Sequence, residues 1–174
     1  MQLGEATPDL TLPDTDGREH SLRGDGVTVV VFTCNHCPYA LAWHDRIVAV
    51  ARDYADRGVR LLGINPNDAE RYPADSYEAM KQRVAADGGW PFAYLRDESQ
   101  DAARAFGARA TPDVFVFDAE GRLRYRGAPD SDYRDPSQDA AWLREALDSV
   151  LAGEEPARAE TEPIGCSIKW KPGA

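Results

Sequence analysis

Two apolar runs, separated by an amphipathic segment, dominate the first half of the chain. Residues 27–32 and 59–64 show no alternation of apolar and polar positions, which is typical of strands buried on both faces. Between them, after Pro38, apolar residues recur at helical spacing with charged residues on the opposite side, and Gly58 ends the segment. This order predicts a βαβ unit with parallel pairing and a right-handed crossover.

Shorter elements are predicted around this unit. Two alternating segments within residues 6–22 surround an Asp-Thr-Asp-Gly turn and predict an N-terminal hairpin. Two strands around an Asp-Ala-Glu-Gly turn predict a second hairpin later in the chain, at residues 113–117 and 122–126. The remaining pattern predicts a helix over 76–86, with Asp75 as its cap, and a strand over 92–95. A short helix is predicted to begin at Asp97, and a final helix to cover residues 139–151.

Length and composition predict one α/β domain with a tail. The chain has 174 residues, of which 43% are apolar, enough to bury a single core. We expect residues 1–152 to form the domain, including the N-terminal hairpin, and residues 153–174 to form an extended tail. The first part of this tail is acidic and contains prolines, and it is followed by a Gly-Cys-Ser-Ile-Lys-Trp segment.

The charge balance narrows the function classes. Thirty acidic residues against 20 Lys and Arg give a formal charge of -10, and no basic cluster interrupts the acidic background. Nucleic-acid and membrane-surface binding depend on basic faces, so we expect neither kind of partner. The chain also shows no apolar run long enough to span a bilayer and no secretory leader at its start, and we expect a cytoplasmic protein.

Three cysteines, at positions 34, 37 and 166, carry the candidate chemistry. Cys34 and Cys37 form a C-x-x-C pair at the predicted junction between a buried strand and a helix. Unpaired N–H groups at a helix N-terminus favour a thiolate, the nucleophilic form of cysteine, and the spacing lets the second thiol resolve a mixed disulfide formed on the first. His36, just before Cys37, adds a positive or hydrogen-bonding group. A zinc site would need two more ligands at short spacing, so redox chemistry is favoured over metal binding, and we expect no metal or other cofactor.

A later Thr111-Pro112 pair precedes an apolar strand. Proline is tolerated at a strand start, and a cis bond there would expose the backbone of Thr111 for pairing with an extended substrate segment. We expect both residues to contribute to substrate binding.

Together the C-x-x-C junction and the Ala-Thr-Pro-Asp segment ahead of residues 114–117 resemble the thioredoxin superfamily, over about residues 3–152. The opening residues 3–22 are similar to the N-terminal extension of its redoxin and peroxiredoxin branch, and the chain resembles peroxiredoxin-like proteins with a C-x-x-C pair. The resemblance implies a thioredoxin-like fold with a central mixed β-sheet flanked by helices. It also implies that Cys34 attacks, Cys37 resolves, and Pro112 is a cis proline.

Three positions depart from the family pattern. Peroxiredoxins carry proline and threonine or serine seven and three residues before the reactive cysteine, where this chain has Val27 and Val31. Thioredoxin has a buried aspartate six residues before its first cysteine, where this chain has Thr28. We therefore expect slow peroxide chemistry and a proton acceptor located elsewhere in the sequence.

The role of Cys166 stays open at this point. Residues 153–165 could extend roughly 40 Å, about the width of such a domain, so the tail can reach the dithiol. Cys166 is then either a third thiol that relays or protects the disulfide, a metal ligand, or a cysteine docked by Ile164, Ile168 and Trp170. The loop at residues 65–68 is a further candidate for polar contact with substrate.

These patterns favour a thiol-disulfide oxidoreductase that uses the Cys34–Cys37 couple. Its expected partners are a protein or small-molecule disulfide or thiol, and a reductant such as a thioredoxin-type or low-molecular-weight thiol system. A thiol peroxidase and a non-enzymatic thiolate metallochaperone, which would use Cys34, Cys37 and either Cys166 or a histidine, are the alternatives.

Overall fold

A computed structural model describes residues 1–173; Ala174, the last residue of the predicted tail, lies outside the described residues. Its strands in chain order are β1 (Thr11–Pro13), β2 (Glu19–Ser21), β3 (Thr28–Phe32), β4 (Arg60–Asn65), β5 (Ala93–Arg96), β6 (Ala110–Thr111), β7 (Asp113–Phe117), β8 (Leu123–Gly127) and β9 (Cys166–Ser167). Its helices are α1 (Pro38–Ala55), α2 (Tyr77–Ala86), α3 (Asp101–Phe106) and α4 (Ala141–Leu151), with a single 3₁₀ turn at Pro73–Asp75.

A five-stranded mixed sheet with the order β5-β4-β3-β7-β8 forms the centre of the molecule. β3 pairs in parallel with β4, and β4 in parallel with β5, whereas β7 runs antiparallel to both β3 and β8. The predicted βαβ unit and both predicted hairpins are present, and the N-terminal hairpin forms its own small sheet. The expected thioredoxin-like α/β architecture is therefore confirmed.

The two faces of β3 enter two different hydrophobic clusters. Val29 and Val31 pack with side chains of α1 and α4, and Val30 and Phe32 pack on the opposite face with α3. All five residues of the strand are buried. A central strand covered on both faces has no solvent side, and this explains why the sequence shows a continuous apolar run instead of alternation.

Helix starts are the main local difference from the predictions. The cap of α2 is Ser76, whose Oγ accepts a 3.1 Å hydrogen bond from the N–H of Ala79, so the assignment of Asp75 as cap is wrong. Asp75 instead closes the 3₁₀ turn with its side chain fully buried. A hydroxyl one residue later satisfies the free N–H groups equally well, which frees the carboxylate for other contacts.

The short helix α3 begins later than predicted. Asp97 lies four residues before its first residue, yet the carboxylate accepts hydrogen bonds from the N–H groups of Ala102 (3.2 Å) and Ala103 (2.9 Å). Gln100, directly before the helix, has a φ of 65°, so the chain turns sharply there and Asp97 caps the helix from a distance. The last helix also starts two residues late, at Ala141.

Residues 153–173 of the predicted tail contact the domain along two stretches. Its first part runs beside β8: the N–H of Arg126 donates to the carbonyl of Ala159 (3.1 Å), and that of Thr161 donates to Arg126 (3.0 Å). Its second part contains β9, which pairs with β6. Among residues 1–173, none of the helices combines the length and the apolar character needed to cross a membrane.

Candidate active site

The C-x-x-C pair lies between β3 and α1. Cys37 is the residue immediately before the helix, with φ -74° and ψ 124°, and Pro38 opens the helix, a position where its missing N–H costs nothing. Both thiols are fully buried. The strand-to-helix junction therefore brings Cys34 and Cys37 to the N-terminal end of α1, as the sequence predicts.

Thr111 and Pro112 meet the two thiols. The Thr111-Pro112 peptide bond is cis, as the family resemblance implies. The Sγ of Cys37 lies 3.1 Å from the carbonyl oxygen of Thr111, and the Sγ of Cys34 lies 3.4 Å from its Oγ1. The two motifs that the sequence singled out thus form one site, although more than 70 residues separate them.

A buried carboxylate that the sequence analysis did not assign to the site holds the loop between the cysteines. Asp75 accepts a 2.6 Å hydrogen bond from the N–H of Asn35 and pairs with Nδ1 of His36. The side-chain amides of Asn65 (3.2 Å) and Asn67 (3.0 Å) donate to the same carboxylate. His36 therefore faces an acid, and its ring stacks on Tyr72 at 5.7 Å.

Asp75 was missed because its spacing before α2 matched a helix cap. The loop at residues 65–68, a candidate for substrate contact, instead supplies two of the amides that surround this carboxylate. A polar, turn-rich stretch after a buried strand was the only signal for this arrangement in the sequence.

Two further side chains hold Asn35 from the other side. Arg83 donates 3.0 Å hydrogen bonds to the carbonyl of Cys34 and to Oδ1 of Asn35, and the Tyr94 hydroxyl donates to the same Oδ1 at 2.7 Å. Burial raises the pKa of Tyr94 above its ordinary range, so its proton stays available for donation. The C-x-x-C loop is thus fixed from α2, β5 and the 3₁₀ turn.

The pKa values of the two thiols of the pair are shifted in opposite directions. The hydrogen bond to Cys37, burial and the charge of Asp75 raise the pKa of Cys34 above its ordinary value of 9.0. The same thiol-thiol hydrogen bond is the largest cause that lowers the pKa of Cys37, to about 4, against the opposing effect of burial. In this conformation Cys37 therefore ionises more readily than Cys34.

Backbone N–H groups and the tail thiol also favour ionisation of Cys37. The N–H groups of Ala40 and Cys166 and the thiol of Cys166 donate to its sulfur. The carbonyl oxygen of Thr111, 3.1 Å away, opposes ionisation because a protonated thiol would donate to it. The hydrogen bonds that favour the thiolate outweigh both this acceptor and the effect of burial, so the pKa of Cys37 is lowered.

The tail places Cys166 beside the pair. Cys166 is partly exposed and packs against a small cluster of Cys34, Cys37 and Ala40. Burial, followed by the hydrogen bond to Cys37, raises its pKa to about 11. All three thiols are free, and the structure brings them into one group.

Candidate metal ligands also meet here. The ligand atoms of Cys34, His36 and Asp75 lie within 4.8 Å of one another. The carboxylate already accepts three hydrogen bonds from Asn35, Asn65 and Asn67. The pairing of His36 with Asp75 accounts for the cluster without an ion.

The other two histidines lie apart from the dithiol. The ring of His44 packs at a tilt against Trp90, with ring centroids 4.4 Å apart, and burial lowers the pKa of His44. His20 in β2 contacts the carboxylate of Asp14 at 2.7 Å. Both have partners of their own.

The comparisons with known proteins identify relatives of this chain. The chain is similar, with 39% identity and a TM-score of 0.93, to the crystal structure of an uncharacterized conserved protein from Geobacillus kaustophilus, over 99% of this chain and 94% of that one. It is 26% identical over 129 residues to the thiol-disulfide oxidoreductase ResA of Geobacillus thermodenitrificans, over 71% of this chain and 68% of that protein.

A third relative is a peroxiredoxin by name. The chain is 26% identical over 190 residues to the 1-Cys peroxiredoxin PER1 of Zea mays, over 99% of this chain and 82% of that protein. The model of the AhpC/TSA family matches residues 3–126. The chain therefore belongs to the AhpC/TSA family, within the redoxin-like branch of the thioredoxin superfamily.

Proposed function

We propose that the protein is a thiol-disulfide oxidoreductase that works through a Cys34–Cys37 couple. The contact of both thiols with Thr111, directly before the cis proline, carries this proposal. It places two cysteines beside a backbone edge that can pair with an extended disulfide substrate. The relative named as a thiol-disulfide oxidoreductase supports the same class of reaction.

In the proposed reaction the reduced pair holds one thiol, on Cys34, and one thiolate, on Cys37. Cys34 attacks a substrate disulfide and passes its proton to Cys37; one substrate sulfur leaves as a thiolate and the other is bound to Cys34. Cys37 then attacks the sulfur of Cys34 and gives up the proton to the second substrate sulfur. That sulfur leaves as a thiol, and the Cys34–Cys37 disulfide is formed. The enzyme loses two electrons, and the substrate disulfide becomes a thiol and a thiolate.

The surrounding side chains position the pair in this scheme. Arg83, through the carbonyl of Cys34, and Asp75, through the N–H of Asn35, fix the loop from opposite sides. Thr111 and Pro112 form the substrate-binding edge. A protein or low-molecular-weight thiol system would return the pair to the reduced state.

Trapping of the mixed disulfide tests the proposal. Glutathione disulfide is added to reduced Cys37→Ser protein in a Cys166→Ser background, so that neither resolving thiol remains, and the adduct is located by mass spectrometry. We expect one glutathione on Cys34, and prompt release of glutathione when Cys37 is restored. Absence of the adduct, or full turnover by the matched Cys34→Ser/Cys166→Ser protein, would overturn the proposal.

A thiol peroxidase is the second candidate, and the match to a 1-Cys peroxiredoxin over nearly the whole chain favours it. One feature of the site opposes it. Val31, where peroxiredoxins have a hydroxyl residue, is buried in the apolar core and offers no hydrogen bond to a peroxide.

A thiolate metallochaperone is the third candidate. The Cys34, His36 and Asp75 cluster is the observation that favours it. Metal analysis of anaerobically purified protein distinguishes it, because stoichiometric metal is expected only for a chaperone.

A further inference from the structure

The C-terminal tail occupies the edge where an extended substrate would bind. β9 pairs antiparallel with β6, and Cys166 lies directly opposite Thr111 in the register. Strand addition beside Thr111 is the mode of binding expected for a peptide that carries a disulfide. The chain thus presents one of its own cysteines at the position opposite the residue before the cis proline.

Gly165 shows that this close approach is built into the tail. A Cβ on Gly165 would lie 2.2 Å from the carbonyl oxygen of Thr111 and 2.6 Å from its carbonyl carbon. Both are backbone atoms, so no side-chain rotation could relieve the clash. Only glycine allows the tail to approach β6 this closely.

Contacts further along the tail hold it in place. The N–H of Lys169 donates to Oδ1 of Asn67 (2.9 Å), and its carbonyl accepts from the N–H of Asp68 (2.8 Å) and the side chain of Gln100 (3.0 Å). Ile168 is buried in the cluster that contains α3. The tail is therefore anchored to the same loop, residues 65–68, that surrounds Asp75.

The docked tail brings three sulfurs into one cluster. Cys34 and Cys37 form a small buried cluster with Ala40, and Cys166 packs against it. Cys34 and Cys37 are fully buried, whereas Cys166 is partly exposed. Among these three thiols, Cys166 therefore has the most solvent-exposed position.

We propose that Cys166 is a third redox thiol, and that the docked tail is an internal substrate of the Cys34–Cys37 disulfide. This inference rests on the proposed function. Cys166 attacks Sγ of Cys37, the Cys34–Cys37 bond breaks, a Cys37–Cys166 bond forms, and the proton lost by Cys166 goes to Cys34. No electrons enter or leave. The exchange moves the disulfide from a buried pair to one with a partly exposed sulfur and frees Cys34.

The same edge cannot hold the tail and an extended substrate together. An external peptide that pairs with Thr111 has to displace β9, and its own cysteine would replace Cys166 beside the dithiol. Exchange with Cys166 is therefore the internal counterpart of exchange with a substrate.

Disulfide mapping tests the exchange. Reduced protein is oxidised with glutathione disulfide, quenched in acid and alkylated, and the disulfides are assigned by peptide fragmentation. The wild type should contain both Cys34–Cys37 and Cys37–Cys166 bonds, and the Cys34→Ser variant only Cys37–Cys166. In Gly165→Val the Cys37–Cys166 fraction should fall about tenfold or more, because the tail thiol loses its high effective concentration.

Ser167→Val is the matched control, because it introduces the same side chain two residues further along the tail, at an exposed position. It should retain the wild-type fraction of Cys37–Cys166, and far-ultraviolet circular dichroism should show that both variants are folded. Three outcomes would overturn the inference. The Cys37–Cys166 bond could be missing from both the wild type and Cys34→Ser, or a Cys34–Cys166 bond could form in its place. The third outcome is a Cys37–Cys166 fraction in Gly165→Val equal to that of the wild type. Failure of Cys166→Ser to form Cys34–Cys37 would instead overturn the proposed function.

Discussion

The carboxylate of Asp75 accepts a 2.6 Å hydrogen bond from the backbone N–H of Asn35, inside the C-x-x-C loop. The same carboxylate pairs with His36, so one buried side chain holds both residues between the cysteines. Its charge also raises the pKa of Cys34. Asp75 therefore couples the shape of the loop to the ionisation of Cys34.

Replacement of Asp75 by asparagine should change both properties. In a Cys37→Ser/Cys166→Ser background, where Cys34 is the remaining thiol, Asp75→Asn should lower the pKa of Cys34, because a nearby negative charge is removed. The pH dependence of the alkylation rate measures this. The variant should also lose about 1–3 kcal/mol of unfolding free energy, because buried donors lose a charged acceptor.

Glu78→Gln is the control for that experiment, since Glu78 is exposed in the first turn of the adjacent helix. It should leave the pH midpoint of alkylation in place. The pH midpoint of alkylation is compared between Asp75→Asn and the Cys37→Ser/Cys166→Ser protein that carries it. An identical midpoint in the two proteins would contradict the role given to the carboxylate.

The docked tail should help to keep Cys37 ionised. Reduced wild-type protein should show a thiolate midpoint well below 9.0 in an ultraviolet absorbance titration, since the pKa of Cys37 is lowered to about 4. Gly165→Val should raise this midpoint, because the thiol and the N–H of Cys166 leave the sulfur. Ser167→Val should not, and a shift of equal size in both variants would argue against the docked tail as the cause.

Burial of Asp113 should produce a pH dependence of stability with a defined sign. Burial raises the pKa of Asp113 from 3.8 to about 6. Between these values the folded chain holds a proton that the unfolded chain has lost, so this group contributes a fall in unfolding free energy as pH rises, at most about 1.4 kcal/mol per pH unit.

Asp113→Asn should remove that contribution, because asparagine can still accept the hydrogen bond from the N–H of Arg109 but does not titrate. Urea denaturation across this pH range measures the difference between the variant and the wild type. Asp9→Asn, at an exposed position, is the control and should follow the wild type. Parallel stability curves for Asp113→Asn and the wild type would refute the prediction.

Peroxide should react slowly with the reduced protein. Apolar Val31 occupies the position where peroxiredoxins place a hydroxyl residue, so this position offers no hydrogen bond to a peroxide. Stopped-flow oxidation should be slower with hydrogen peroxide than with glutathione disulfide at equal concentration. The reverse order, together with a sulfenic acid on Cys34, would favour the peroxidase.

The aromatic cluster of Phe32, Phe106 and Phe115 should contribute strongly to the free energy of unfolding. Phe106 contacts Phe32 and Phe115, each with ring centroids 5.2 Å apart, and is fully buried. Phe106→Ala should cost about 3–5 kcal/mol of unfolding free energy in denaturant titration. Leu41→Ala, at a position that is 47% exposed, should stay within about 0.5 kcal/mol of the wild type.

Local patterns predicted much of the fold and the centre of the site. The apolar run of β3, the amphipathic period of α1 and the proline after Cys37 together place the dithiol at a strand-to-helix junction. These features depend on neighbours in the sequence, because helical period and strand burial are expressed within a few residues. The cis peptide bond before Pro112 was implied by the family resemblance.

Boundaries and capping were less predictable. Asp75 and Asp97 both had the spacing of helix caps, but Ser76 caps α2 and Asp97 reaches α3 from four residues before its start. Several polar side chains near a helix start can satisfy its free N–H groups, so spacing alone does not select one.

The sequence by itself determined that two cysteines lie where a buried strand meets a helix. Only the tertiary structure decided that Asp75 holds their loop and that the tail brings Cys166 opposite Thr111. Strand register and buried polar contacts between distant segments depend on how whole elements pack. A short, mostly polar tail carries no periodicity that specifies its partner strand, so its docking site follows from the folded domain that receives it.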